Sequence, residues 1–498
     1  MKFEISQNAL NSISCDAVVV FLFENQHSKS FSLIDRDLGK ILSDSVKLEN
    51  FKGKVGNLLH VHTHGKILAP KVYILGLGKK EDFIANSLRK AFSLFAKSTK
   101  GKLNSVSVCL LDKDETKIDL NLQSQFLAEG ILLGSYDFLK YKSKEDKNKT
   151  RELVIYSEPE KKYEQEIKNG TKIGEFYFEA TKLARDLINE SAAVVTPSTL
   201  ATIAQDLSKK SSSINCEIYD KKEAKQMGMG AFLGVAQASD TPPKFIYLEY
   251  NPKNQKDKKT KLALIGKGIT FDSGGINVKP GDSMMTMKSD MSGAASVLGI
   301  FSVIEQVKPD FCVMGLIAAT PNMISGKSLV PGDVLRAMNG KTIEILNTDA
   351  EGRVIMADSL SFALKKGATH LIDFATLTGA CMVALGTDIT ALYGNDKALT
   401  EKVKKAAEEA GEKVWEMPLE QDYKDLNKSE VADIANIPST RYGGSITAAL
   451  FLQEFVDNKP WIHLDIAGPA FAEKEYSYGP KGGTGFGVRT ILNLLKNW

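Results

Sequence analysis

Histidine and cysteine, the side chains that most often hold zinc or carry nucleophilic catalysis, are scarce in this chain: six and five among 498 residues. The cysteines, Cys15, Cys109, Cys216, Cys312 and Cys381, are scattered, odd in number and without metal-ligand spacing. That pattern argues against a thiolate zinc module and a disulfide framework, and predicts free thiols in a reducing, cytoplasmic compartment. Three of the six histidines, His60, His62 and His64, alternate along the chain, but no acidic or cysteine partner is close in sequence, so a half-exposed strand is the expectation there. Long apolar runs are also lacking. The run Ala17–Phe23 is short, follows Asp16 and has no basic region leading into it, so neither a signal peptide nor a membrane span is expected. Charge of one sign is missing as well: 64 Lys and Arg face 61 Asp and Glu, a net charge of +3 that provides no broad basic field for nucleic acid. Nucleotide loops fail on single residues. Gly326-Lys327-Ser328 has Pro321 where a phosphate-binding loop needs glycine, and Phe271 stands where a third glycine would complete Gly266-x-Gly268-x-x-Gly.

What is present reads as α/β. With 43% hydrophobic residues in a chain too long for one core, two or three domains are expected. Strand-like runs at Ala17–Phe23, Leu58–His62, 72–77, 106–111 and 153–156 alternate with helical stretches near 82–98 and 124–139. The pattern predicts a smaller amino-terminal α/β domain over 1–160, a linking helix over 161–190, and a larger catalytic α/β domain over 191–498, its mixed central sheet flanked by helices. Strands near 244, 262, 312, 343, 371 and 462 belong to the larger domain. Two Lys-rich stretches, 140–151 and 253–261, read as solvated, the second as a hairpin tip.

The densest chemistry lies in Asn347-Thr348-Asp349-Ala350-Glu351-Gly352-Arg353. If this segment is extended, Asp349, Glu351 and Arg353 share a face. Two carboxylates held together repel, and to stay ionised they need a cation between them, a side chain or a metal. Upstream, the apolar run 262–265 reads as a buried strand and Gly266-Lys267-Gly268-Ile269-Thr270-Phe271-Asp272-Ser273-Gly274-Gly275 as the loop at its carboxyl end, where open α/β sheets place their chemistry. Lys279 follows, then Asp290 just before a helix that begins near Ser292.

These segments hold three aspartates, one glutamate and two lysines, with no histidine or cysteine among them. Oxygen-rich ligation suits magnesium, manganese or zinc, and four carboxylates fit a pair of ions better than one. Any one aspartate alone would read as a turn or cap former. Two-metal phosphoesterases share this ligand chemistry. A regulatory or nucleic-acid-binding protein with a degenerate site would have lost some of these residues, and none of the candidates is missing.

At this point the sequence resembles the cytosolic leucyl aminopeptidases, the family that includes bacterial aminopeptidase A. The resemblance is strong over 180–498, through Ala184-Arg185-Asp186-Leu187-Ile188-Asn189-Glu190, Thr196-Pro197-Ser198, Gly266 to Gly275, the heptapeptide 347–353, Ala375-Thr376-Leu377-Thr378-Gly379-Ala380 and His463-Leu464-Asp465-Ile466-Ala467-Gly468. It is loose over 1–165. The resemblance implies a metal-dependent exopeptidase that removes amino-terminal, preferentially leucine-like residues by attack of a metal-bridging water. It implies two divalent ions per subunit, manganese or zinc, on Lys267, Asp272, Asp290, Asp349 and Glu351, with Asp272 and Glu351 bridging. Lys279 and Arg353 would be catalytic, with Arg353 holding a bicarbonate. The substrate pocket would comprise Met287, Asn347, Thr376, Gly379 and Ala467, and His463 would be packed behind the site. Partners implied are peptides with a free amino terminus and five further copies in a homo-hexamer, with no membrane and no nucleic acid. Pro321 before Asn322-Met323, where many members have glutamate, and Pro469-Ala470 after Gly468 are departures that bear on side-chain preference.

Overall fold

The computed structural model describes residues 1–143 and 152–498; residues 144–151 of the first Lys-rich stretch lie outside the described residues. Two compact units are formed, one of Met1–Phe178 with Lys474–Pro480, the other of Glu179–Glu473 with Lys481–Trp498.

In the first unit the strands are β1 (Lys2–Ser6), β2 (Ala17–Phe23), β3 (Leu58–His62), β4 (Lys71–Gly78), β5 (Ser105–Val108) and β6 (Leu153–Ser157). They form one sheet in the order β1-β6-β5-β2-β4-β3, parallel except for the edge strand β3. The fully buried run AVVVFLF of β2 suits an inner position covered on both faces. Its side chains divide as a period of two requires: Ala17, Val19, Phe21 and Phe23 enter one core, Val18, Val20 and Leu22 the other. The expected helices are Ala85–Ser98 and Leu120–Ser135, while β1 and the helices Lys29–Asp37 and Ile41–Leu48 had not been anticipated. His60 and His62 are exposed on edge strand β3, and His64 lies just beyond it, also exposed.

Along the second unit run β7 (Ile214–Tyr219), β8 (Lys244–Tyr250), β9 (Lys261–Asp272), β10 (Cys312–Asn322), β11 (Val334–Arg336), β12 (Thr342–Glu344), β13 (His370–Ala375), β14 (Thr390–Gly394), β15 (Val414–Glu416), β16 (Ile434–Ala435) and β17 (Trp461–Asp465). Eight of them form a mixed sheet ordered β15-β14-β17-β13-β9-β10-β8-β7, and β11, β12 and β16 form a small separate one. The four central strands β17, β13, β9 and β10 are mutually parallel. Their carboxyl ends therefore share one edge of the sheet. From β9 the chain passes through the helix Ser292–Ser302 to β10 on one side, then through the helix Glu351–Lys365 to β13 on the other. That reversal of winding direction opens a crevice at the carboxyl ends of β9 and β13, the place where α/β sheets bind ligands.

Two local expectations are corrected. The strand that begins at Lys261 does not stop at Ile265 but continues to Asp272, so Lys267 stands on a strand and the loop begins at Ser273. Pairing with β13 reaches Gly266, and pairing with β10 carries the extension on through Gly268 to Asp272. The stretch 253–261 is not a hairpin tip either: β10 lies between β8 and β9, so this segment crosses over a strand.

Candidate metal centre

The heptapeptide is not extended. Thr348–Ala350 forms a 3-10 turn and Glu351 begins the helix Glu351–Lys365. The cause is local, because the Asn347 carboxamide oxygen accepts the Asp349 N–H at 2.8 Å and so caps the turn as asparagine does at helix starts. Asp349, Glu351 and Arg353 consequently diverge in environment rather than lining one strand face.

Asp272, Asp290 and Glu351 nevertheless converge from three places: the end of β9, the residue after the 3-10 turn Met287–Ser289 that leads into the helix Ser292–Ser302, and the first turn of the helix Glu351–Lys365. Ligand oxygens of the three lie within 4.8 Å of one another, and all three are buried. Among the described residues this is the group of His, Cys, Asp or Glu side chains that meets that test; the histidines of β3 do not. Lys267 reaches into it from mid-strand, its Nζ 2.8 Å from Asp290 Oδ2, 3.1 Å from Glu351 Oε1 and donating to Thr376 O at 3.1 Å. Only a glycine at 352 leaves it room: a Cβ there would sit 2.5 Å from Lys267 Cε.

Lys279 forms a second centre, 2.9 Å from Asp272 Oδ2 and 2.6 Å from Asp349 Oδ1. Asp272 thus belongs to both groups, while Asp349 joins through Lys279. The turn that carries Lys279 passes over Gly274, at φ +86°, where a side chain would meet Asp349 Oδ1 at 2.8 Å. Behind these groups stand residues that sequence reasoning did not single out. Asn322, at the end of β10, donates to Asp272 Oδ1 at 2.9 Å and to Thr348 O at 3.1 Å. Asn436 accepts the Leu346 N–H and donates to Asn347 O at 2.6 Å, and its carbonyl accepts from Arg353 Nη1 at 2.9 Å. Pro321-Asn322-Met323 was visible as an unusual tripeptide; Asn436 had no local signal.

Of the expected pocket residues, Thr376 follows β13, Ala467 lies beyond the end of β17, Asn347 precedes the turn Thr348–Ala350, Met287 opens the 3-10 turn Met287–Ser289 and Gly379 begins the helix Gly379–Leu385. Met287, Asn347, Thr376 and Ala467 are half-buried and Gly379 is exposed. Two of them already have structural work: Asn347 caps the turn, and Thr376 Oγ1 donates to Asp290 Oδ1 at 2.7 Å. His463 is fully buried, 2.6 Å from Asp373 Oδ1, with its ring stacked against Tyr393 and Trp461.

The electrostatics show a pocket short of positive charge. Four carboxylates face two lysines. Burial, and then the neighbouring Asp272 carboxylate, pushes Glu351 up to about 8; burial likewise pushes Asp290 up to about 6 against the pull of Lys267. Burial also raises Asp349. Burial opposes charge on Lys267 and Lys279, but the carboxylates outweigh it and hold both ammonium groups well above the usual lysine range. Glu351 Oε2 has no hydrogen-bond partner among the described residues, and neither does the buried Nε of Arg353, whose guanidinium burial pulls down to about 10. A dication fits this donor set: it is all oxygen plus one amine, it is under-neutralised, and a buried acceptor is left without a partner. With a dication present the balance reverses, favouring ionised carboxylates and a neutral Lys267 amine.

Comparison with known proteins finds relatives over the whole chain. The catalytic-domain model of the cytosol aminopeptidase family matches residues 182–492, and its N-terminal-domain model matches residues 19–145. A probable cytosol aminopeptidase of Alkaliphilus metalliredigens is 41% identical over 502 residues, spanning 100% of this chain and 99% of the relative. Another, from Cyanothece sp., is 45% identical over 96% of each chain. Among solved structures, a mutant of tomato leucine aminopeptidase matches with a TM-score of 0.90 at 34% identity, covering 100% of this chain and 97% of that one. The bottromycin maturation enzyme in complex with Mn matches with a TM-score of 0.85 at 32% identity, over 97% and 99%.

Proposed function

The chain belongs to the cytosol aminopeptidase family of metal-dependent exopeptidases, and from that premise we propose that it removes amino-terminal residues, preferentially leucine-like ones, from peptides in the cytoplasm. The observation that carries this reading is the buried triad Asp272, Asp290 and Glu351 with Lys267 among its oxygens and Glu351 Oε2 unpartnered. Two ions, manganese or zinc, would be held by Lys267, Asp272, Asp290, Asp349 and Glu351. When bound, such a pair supplies an acidified water as nucleophile and polarises the scissile carbonyl.

The chain's own groups complete the reaction. Lys279, held protonated beside Asp272 and Asp349, would donate to the oxyanion of the tetrahedral intermediate. Arg353 keeps a buried N–H without a hydrogen-bond partner among the described residues, and its planar fork would hold a bicarbonate, which would supply a proton carrier beside the scissile bond. The neutral α-amine of the substrate is anchored in the same pocket, which restricts cleavage to the first peptide bond. Met287, Asn347, Thr376, Gly379 and Ala467 would border a deformable cavity for a leucine-like side chain. A homo-hexamer completes the reading.

Hydrolysis of a series of aminoacyl amides, each with its amino-acetylated counterpart, tests it. Leucyl and methionyl amides should turn over fastest and every acetylated compound should be inert. Cleavage of acetylated substrates would refute the exopeptidase anchor, and a preference for charged or glycyl amides would refute the apolar pocket. Sedimentation should find six copies.

A further inference from the structure

We propose that Asp465, which touches none of the candidate ligands, is a positioning residue that presets the metal pocket by holding the loop after β13. It stands at the last position of β17, paired in register with Ala375, and is fully buried. One oxygen, Oδ1, accepts the N–H groups of Leu377 at 3.1 Å, Thr378 at 3.4 Å and Ala467 at 3.2 Å; Oδ2 accepts the Thr378 hydroxyl at 2.7 Å. A single carboxylate thereby ties together the chain leaving β13 and the chain leaving β17. Thr378 in turn accepts the Cys381 N–H and caps the helix Gly379–Leu385, so the loop is fixed at both ends.

The residue held between these anchors is Thr376. Its hydroxyl orients Asp290 Oδ1, leaving Oδ2 toward Lys267, and its carbonyl accepts from Lys267 Nζ. If the loop were held only by its own backbone, two of the groups assigned to the metals would lose their fixed direction. Asp465 also bears the negative charge that supports buried Arg353 electrostatically. This inference rests on the proposed metal reading. Outer groups that orient metal ligands typically account for 10- to 100-fold in affinity.

The test is calorimetric titration of manganese into the metal-stripped full chain for wild type, Asp465→Ala, Asp465→Asn, Thr376→Val and the Asp465→Ala/Thr376→Val double variant, with a melting curve for each. Asparagine keeps an oxygen for the three backbone N–H groups and an amide that donates to the Thr378 hydroxyl. Asp465→Asn should therefore stay within about threefold of wild type, whereas Asp465→Ala should bind about 10- to 100-fold more weakly. Because the effect passes through Thr376, Asp465→Ala should cost less in the Thr376→Val background than alone. Should Asp465→Ala fail to fold, Thr378→Val removes the Oδ2 contact together with the cap on the Cys381 N–H, leaves the three N–H contacts of Oδ1, and should weaken binding in the same direction. A folded Asp465→Ala, or Thr378→Val in its place, with wild-type affinity overturns the proposal, as does full additivity in the double variant. Wild type that binds no manganese overturns the metal reading itself, a distinguishable failure.

Discussion

Loading the metal-stripped chain should release protons in a number set by two named groups. Burial and the Asp272 carboxylate raise Glu351 far enough that its carboxyl holds a proton at neutral pH, while Lys267 is held protonated between Asp290 and Glu351. A metal needs carboxylates and a neutral amine, so binding at pH 7 should release protons from both groups, besides any given up by a bound water. At higher pH Glu351 is already ionised and its share of the release should disappear. Calorimetric titration of manganese in buffers of different ionisation enthalpy reads the count directly. Glu351→Gln should lower the release at pH 7 by up to one proton, if the variant still binds. A release near zero, or one that does not change between pH 7 and 9, would show that Lys267 and Glu351 are not the groups that meet the metal.

Three further outcomes follow from the same geometry. The metal-free protein binds more protons at Glu351 when folded than when unfolded between about pH 4.5 and 8, so its stability should decline as pH rises through that window; a melting temperature flat or rising there counts against the raised carboxyl. Gly352→Ala brings a methyl to 2.5 Å from Lys267 Cε at a helical position where alanine is otherwise favourable, so global stability should change by less than about 1 kcal/mol while manganese affinity falls about tenfold or more, both read on the purified variant. Asp358, buried in the same helix and accepting the N–H groups of Phe232 at 2.8 Å and Met338 at 2.7 Å, supports the fold away from the metal pocket: Asp358→Ala should cost about 2–5 kcal/mol in denaturant unfolding with kcat of the metal-loaded enzyme retained, and a cost below about 1 kcal/mol would mean those N–H groups find other partners.

The parts of this molecule that were legible in the sequence are those with local causes. Apolar runs bounded by turn residues marked β2, β4, β6, β9 and β13 because a covered strand needs continuous hydrophobicity, alternation marked the half-exposed edge strand β3, and the two cores fed by β2 follow from the period of two. Asp272, Asp290, Glu351 and Lys267 were legible because four carboxylates and two lysines in glycine-rich turns have few other uses. The conformation of 347–353 was misread for a local reason too weak to see: one asparagine side chain capping a 3-10 turn decides between extended and helical backbone. The contacts of the polar supports were not legible, since a buried partner across the fold leaves no periodicity. Asn322 lies 50 residues from Asp272, Asn436 lies 83 from Arg353, and Asp465 lies 88 from Leu377. Lys253 onward was misplaced as a hairpin because strand order, not strand content, sets whether neighbours in sequence pair.

The central claim is that the under-neutralised pocket around Asp272, Asp290 and Glu351 works only with divalent ions in it. Leucyl amide hydrolysis by the full chain, measured before chelation, after chelation, and after manganese or zinc is restored with two ions counted per chain, tests it most directly. The account predicts that activity disappears with the metal, returns with it, and does not return in Glu351→Gln. Undiminished hydrolysis by the metal-free protein would contradict it.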